Sequence, residues 1–370
     1  MDSRETDFVK AMNNACQTGF TASGDLTLYK RMVMAFFVLA GLMFSVSLLI
    51  SQSDSNNLSQ SAAVGNDGGS EQTRPPLFVP KSCENLTVAS SEDLINKLQV
   101  YDLWENPLPA AVPPVILDRY PEGIDQLPIE EKKKAFLHTL LPIALVALSE
   151  VAEERRQLMH VLDKYKTPPE EFSSEEEDNT SWKKPLKSSE RKFIANLTQK
   201  YRTTSVTGLL SRVKTVPVSL ILAQGAIESS WGSSRFANQG NNLFGIWTWG
   251  TNGIIPNERE EGKNHMVAAY DSLLDSVRAY ILMLNRVTAY SQLRAIRKKT
   301  SDPVALAAGL LNYSERGGVY VSDIGRIIEY NNLRDFDSLG LARSSVKTTR
   351  TDSIFTMAGI STGLGKFFSN

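Results

Sequence analysis

Nineteen consecutive residues, 32–50 (MVMAFFVLAGLMFSVSLLI), contain no charged side chain. At 1.5 Å per residue such a run as a helix just crosses a hydrocarbon core of about 30 Å. Lys30 and Arg31 stand directly before it, and no charge follows until Asp54. That asymmetry predicts a transmembrane signal anchor with residues 1–31 in the cytoplasm and the remainder outside. A cleaved signal peptide is the rival reading, but its apolar region is usually shorter, and Ser51-Gln52-Ser53 makes a poor cleavage site.

The run divides the chain. Residues 51–89, rich in Ser, Asn, Gly and Gln at first, read as a flexible linker. Residues 90–166 read as a helical N-terminal subdomain, with a long helical pattern from Ile129 to about Lys166. Within it, residues 135–149 are apolar enough to suggest a second span. They are too few and include His138 and Pro142, so a buried helix, kinked at Pro142, is expected instead. Residues 167–189 form an acidic linker with almost nothing to bury, 190–337 a second folded domain, and 338–370 a polar tail expected to be disordered.

Composition narrows the chemistry. With a formal net charge of −1 there is no electrostatic footprint for nucleic acid. The two cysteines, Cys16 and Cys83, flank the span and cannot pair across it. Three scattered histidines complete no metal-binding motif, and no cofactor is expected.

The segment VSLILAQGAIESSWG carries one carboxyl in an apolar setting. Thr215 and Pro217 predict its start, as capping hydroxyl and early helical proline. Val218, Ile221, Leu222 and Gly225 mark a core-facing side, and Glu228 shares it, seven residues past Ile221 and four past Gln224. A carboxyl held there should have a raised pKa and remain protonated near neutral pH, as a general acid requires. A structural glutamate is the alternative that helix geometry leaves open.

AQGAIESSWGSSRFANQGNNLFGIW resembles the glucosaminidase family of peptidoglycan hydrolases, whose hallmark is an Ala-Gln-x-x-x-Glu-Ser-x-Trp-Gly helix followed by Asn-Leu-Phe-Gly-Ile. The likeness continues to about residue 333, and the part beyond the span looks like the Bax-type bacterial branch of that family. It implies a mainly α, lysozyme-like helical domain with a small β-lobe, here over residues 244–270. It also implies an endo-β-N-acetylglucosaminidase acting on peptidoglycan glycan strands without a cofactor, held in a bacterial inner membrane with its catalytic domain in the periplasm. A muramidase or lytic transglycosylase, or an inactive peptidoglycan-binding scaffold, is the alternative; the sequence identifies no protein partner.

By the same resemblance Glu228 is the catalytic acid. Glu258, four residues before Gly262, fits the family spacing of a second carboxylate, with Glu260 and Glu261 as alternatives. An inverting base, a retaining nucleophile and the substrate's own N-acetyl group all remain open. Gln224, Asn242 and Phe244, at motif positions, are expected to bind substrate. The family's Tyr-Ala-Thr-Asp-Pro-x-Tyr pattern appears here as YSERGGVY, one residue longer and without Asp-Pro. Tyr313 is expected to hydrogen-bond in the cleft, and Tyr320 to pack beside it at the substrate. Trp247 and Trp249 are expected to stack on sugar faces, and Trp231 to pack in the core.

Overall fold

The structure, a computed structural model, describes residues 79–165, 186–257, 259, 262 and 264–343. The expected anchor at 32–50, the acidic run after residue 166, and Glu258, Glu260 and Glu261 lie outside the described residues.

The described chain opens with β1 (Glu84–Leu86) and α1 (Ser91–Val100). The Ser90 hydroxyl caps α1 by accepting from the Asp93 amide at 3.1 Å. Two short strands, β2 (Ala111–Val112) and β3 (Val115–Leu117), precede α2 (Ile129–Tyr165), which runs without interruption through Pro142. Next come α3 (Ser188–Tyr201), α4 (Val206–Arg212), α5 (Val218–Ser229) and α6 (Arg235–Gly240). Strands β4 (Trp247–Thr248), β5 (Gly253–Ile254) and β6 (Met266–Ala268) form one antiparallel sheet in the order β4-β6-β5. This is the β-lobe, inside the interval expected for it. Helices α7 (Leu273–Arg286), α8 (Ser291–Ile296), α9 (Pro303–Ala307) and α10 (Gly318–Tyr330) come after the lobe, and β7 (Gly340–Leu341) ends the series.

Among the described residues α2 is the one helix long and apolar enough to cross a membrane, yet 89% of its apolar window is buried inside the protein. A helix that is apolar on all sides belongs in a core. It packs on α5 and α7, and Gly225 sets how closely: a Cβ there would stand 3.0 Å from Leu140 Cδ2 and 3.4 Å from Phe136 Cζ. The apolar stripe of α7 (Leu273, Val277, Tyr280, Ile281, Leu284) is buried as its spacing predicts.

Residues 90–165 share their core with the C-terminal half of the chain. A continuous buried cluster joins Leu94, Phe136, Leu140 and Leu148 to Leu220, Phe244, Ile281 and Ile324. A second cluster packs the end of α2 (Leu158, Val161, Leu162) against α3 and α4. Strand pairing orders the first segment and, through β2 and β7, binds it to the second. β1 pairs in parallel with β3, and β2 pairs in parallel with β7, Ala111 opposite Gly340 and Val112 opposite Leu341. Residues 340–341, expected in a disordered tail, are therefore part of the fold, because their backbone completes a ladder with a strand some 230 positions earlier.

The start of α5 also differs from expectation. Pro217 is the N-cap rather than the first helical residue, and no side chain of the cap itself bonds the helix. The carboxylate of Asp337 does so instead, accepting from the Ser219 amide at 3.1 Å and the Ser219 hydroxyl at 2.7 Å. A charged acceptor at the positive end of a helix outcompetes a local hydroxyl.

Candidate active site

Helix α5 is apolar enough to be buried from Val218 to Ala226, and it ends abruptly. Ser230, Trp231 and Gly232 take successive positive φ values of 52°, 60° and 81°. Ser229 fastens this turn: its hydroxyl donates to the Gly225 carbonyl at 2.5 Å and accepts from the Gly232 amide at 2.8 Å. Trp231 then lies edge-on against Phe136, ring centroids 5.9 Å apart, packed on the core as expected. Glu228 is the penultimate residue of α5, two before Ser230, and is half-buried where the helix comes to an end.

Burial pushes the Glu228 carboxyl above the ordinary carboxylate range, while a hydrogen bond from Tyr320 and attraction to Arg316 pull it partly back. The Tyr320 hydroxyl also accepts from Gln224 Nε2 at 2.9 Å, and Gln224 Oε1 accepts in turn from the Tyr280 hydroxyl. All the donors point one way: Tyr280 to Gln224, Gln224 to Tyr320, Tyr320 to Glu228. Gln224, Tyr280 and Tyr320 are buried, so each bond acts in a low dielectric and polarises the next. The relay leaves a carboxyl whose pKa burial raises and whose ionised form already has a donor aimed at it.

The β-lobe approaches this carboxyl through its first residues. Phe244 stacks on Tyr280 at 4.1 Å between centroids, and the Tyr313 hydroxyl donates to the Phe244 carbonyl at 2.7 Å. Gly245 comes next with φ +62°, and a Cβ there would stand 3.2 Å from Glu228 Oε2. Asn242 holds the loop from within. Its Oδ1 accepts from the amides of Phe244 and Ile246, and its Nδ2 donates to the carbonyls of Ile246 and Ala268. Farther out, Trp247 is 54% exposed and stacks on His265 at 4.4 Å, and Trp249 is 70% exposed.

Residues 208–333 match the family described as mannosyl-glycoprotein endo-beta-N-acetylglucosaminidase, the glucosaminidase family. Protein bax of Escherichia coli (strain K12) is 30% identical over 210 residues, which are 55% of this chain and 69% of that protein. The chain belongs to the glucosaminidase family. It is a glycoside hydrolase, and Glu228, Gln224 and Tyr320 all lie within the glucosaminidase match. Peptidoglycan hydrolase FlgJ of Salmonella typhimurium (strain LT2) is 30% identical over 135 residues, 33% of this chain and 41% of FlgJ. The solved glycoside hydrolase domain of FlgJ aligns at 26% identity over 38% of this chain and 96% of that one, with a TM-score of 0.26.

The candidate site gathers Gln224, Phe244, Tyr313 and Tyr320 around the Glu228 carboxyl. The two tyrosines both hydrogen-bond at the site, and they stack on each other. Tyr320, expected to pack, reaches Glu228, and the Tyr313 hydroxyl is held by the Phe244 carbonyl, with its ring stacked on Tyr320 at 5.5 Å. Asn242 and Gln224 are buried and engaged with protein groups. Trp247 and Trp249 remain open to solvent on the lobe. Glu258 and Glu261 lie outside the described residues. Two residues join the site without a sequence signal of their own. Tyr280 is visible in the sequence only as a member of an apolar stripe, and Arg316 only as part of the altered tyrosine segment.

Proposed function

We propose that this protein is a membrane-anchored peptidoglycan hydrolase, an endo-β-N-acetylglucosaminidase that cleaves β-1,4 bonds of the wall glycan with Glu228 as general acid. The supporting observation is the Glu228 carboxyl itself, pushed above the ordinary carboxylate range by burial while Tyr320 donates to it. The FlgJ relative is named a peptidoglycan hydrolase, which favours the same polymer as substrate.

In the proposed reaction Glu228 gives its proton to the glycosidic oxygen as the bond from that oxygen to C1 breaks. The developing carboxylate then strengthens its hydrogen bond from Tyr320, an interaction greater in the transition state than in the ground state. Water adds to C1 and gives up a proton. In an inverting course Glu258 or Glu261 takes that proton. In a retaining one the carboxylate, or the substrate's own N-acetyl oxygen, first bonds C1, and water then displaces it while giving its proton to the Glu228 carboxylate. Trp247 and Trp249 offer flat apolar surfaces to the sugar rings. Residues 32–50 anchor the enzyme in a bacterial inner membrane and place the glucosaminidase domain in the periplasm.

Full-length protein and its Glu228→Gln variant, each incubated with purified sacculi, test this reading by mass spectrometry of the released ends. Reducing N-acetylglucosamine ends from the parent alone are expected. Muramic or anhydro-muramic ends would move the enzyme to the muramidase or transglycosylase class. Release by neither protein, with sacculus binding retained by both, would make it a scaffold.

A further inference from the structure

Helix α10 begins beside Glu228 and leads away from it; from Tyr320 to Tyr330 the rise is about 15 Å. At its far end lies a cavity of about 850 Å³. One wall comes from Leu108 and the first turns of α2, with Lys133 and Lys134; the other comes from Tyr330, Asp335 and Phe336. The first wall lies outside residues 208–333, so it is built by a part of the chain beyond the glucosaminidase match.

Lys133 connects this cavity to the active site. Its ammonium stands 5.5 Å from the centroid of Tyr330 and 5.8 Å from that of Trp231, which is three residues past Glu228. Lys133 and Lys134 are largely covered, and their partners are not: Glu130 at 2.9 Å and Glu105 at 3.5 Å are about four-fifths exposed. Ion pairs with such exposed partners are weak and yield to a better-placed carboxylate. The Asp335 carboxylate makes no hydrogen bond or ion pair among the described residues. The cavity thus combines two ammonium groups, a carboxylate and apolar surface from Leu108 and Phe336. Tyr330, 79% exposed, flanks it.

We infer that this cavity binds the peptide stem carried by a muramyl residue of the glycan lying at Glu228. In this arrangement stem carboxylates meet Lys133 and Lys134, and a free amino group of the stem meets Asp335. The inference rests on peptidoglycan being the substrate. Four extended residues reach about 13 Å, comparable with the rise of about 15 Å along α10 from Tyr320 to Tyr330.

The test compares soluble glycan strands bearing their stems with the same strands stripped by an amidase, using full-length protein. Lys133→Met is expected to raise KM on stem-bearing strands about tenfold, the loss of one charge-assisted contact, with kcat unchanged. Tyr330→Ala, at an exposed position that folding tolerates, is expected to act in the same direction. Neither variant should alter cleavage of stripped strands. Equal effects on both substrates, or none, would overturn the stem site and leave the hydrolase standing. A second measurement avoids catalysis: calorimetric titration with a free synthetic tetrapeptide stem should give saturable binding that Lys133→Met weakens about tenfold. Such binding by a parent inactive on both strands would sink the hydrolase and support the stem site; no binding would sink the stem site.

Discussion

The Tyr320 hydroxyl donates to Glu228 while accepting from Gln224, so the acid's partner is itself oriented from behind by a buried amide. Tyr320→Phe removes the donor that favours the ionised form. Glu228 should then titrate higher, and the alkaline limb of the kcat/KM profile should move to higher pH. The rate should nonetheless fall about ten- to a hundredfold, the worth of a hydrogen bond to a charged group. An alkaline limb that stays in place would remove Tyr320 from this role.

Glu228→Gln should abolish glycan cleavage, by about a thousandfold or more, as expected for loss of a general acid. Its effect on stability should have the opposite sign. With its folded pKa raised above the ordinary 4.5, the native state holds a proton that the unfolded chain releases, so stability falls as pH rises from 4.5 through the folded value. The variant should therefore melt higher than the parent above that window, and the gain should vanish below it. Melting curves from acid to neutral pH read this directly, and a variant no more stable than the parent at neutral pH would contradict it.

Gly245→Ala places a Cβ 3.2 Å from Glu228 Oε2 at a φ of +62°. The backbone strain should cost about 1 kcal/mol. Displacement of the carboxyl should reduce kcat about tenfold, for roughly one tenfold factor per 1.4 kcal/mol of misplacement. A loss of stability with unchanged kcat would show that the lobe and the acid are independent.

Asp337→Ala leaves the Ser219 amide and hydroxyl without their acceptor. A cost of about 1 kcal/mol, typical of a lost helix cap, should lower Tm by roughly 2–4 °C. Activity at 25 °C should be retained, because the cap lies at the opposite end of α5 from Glu228.

Local periodicity makes part of the site legible in the sequence. Glu228 falls on the buried face because seven and four residues are whole turns from Ile221 and Gln224, and the lapse of helical spacing after Phe244 marks the lobe. Periodicity reports that a side chain is buried but not what its polar tip meets. Tyr280 therefore reads as core, although its hydroxyl begins the relay to Glu228. Nothing near Thr215 and Pro217 foretells a cap 118 residues away at Asp337. The composition of residues 167–189 likewise suggests a division between domains. Whether two segments share a core depends on which faces meet, and Gly225 meeting Leu140 and Phe136 joins them.

The pairing of β2 with β7 makes the glucosaminidase domain hard to transplant. A fragment cut to residues 208–333 would lack Asp337 and the strand that closes on Val112, and would leave α5 without the helix that covers it. The stretch that defines the family is not, in this chain, a portable module. Recombination or protein engineering that moves the catalytic sequence has to carry residues 84–165 and 334–342 with it.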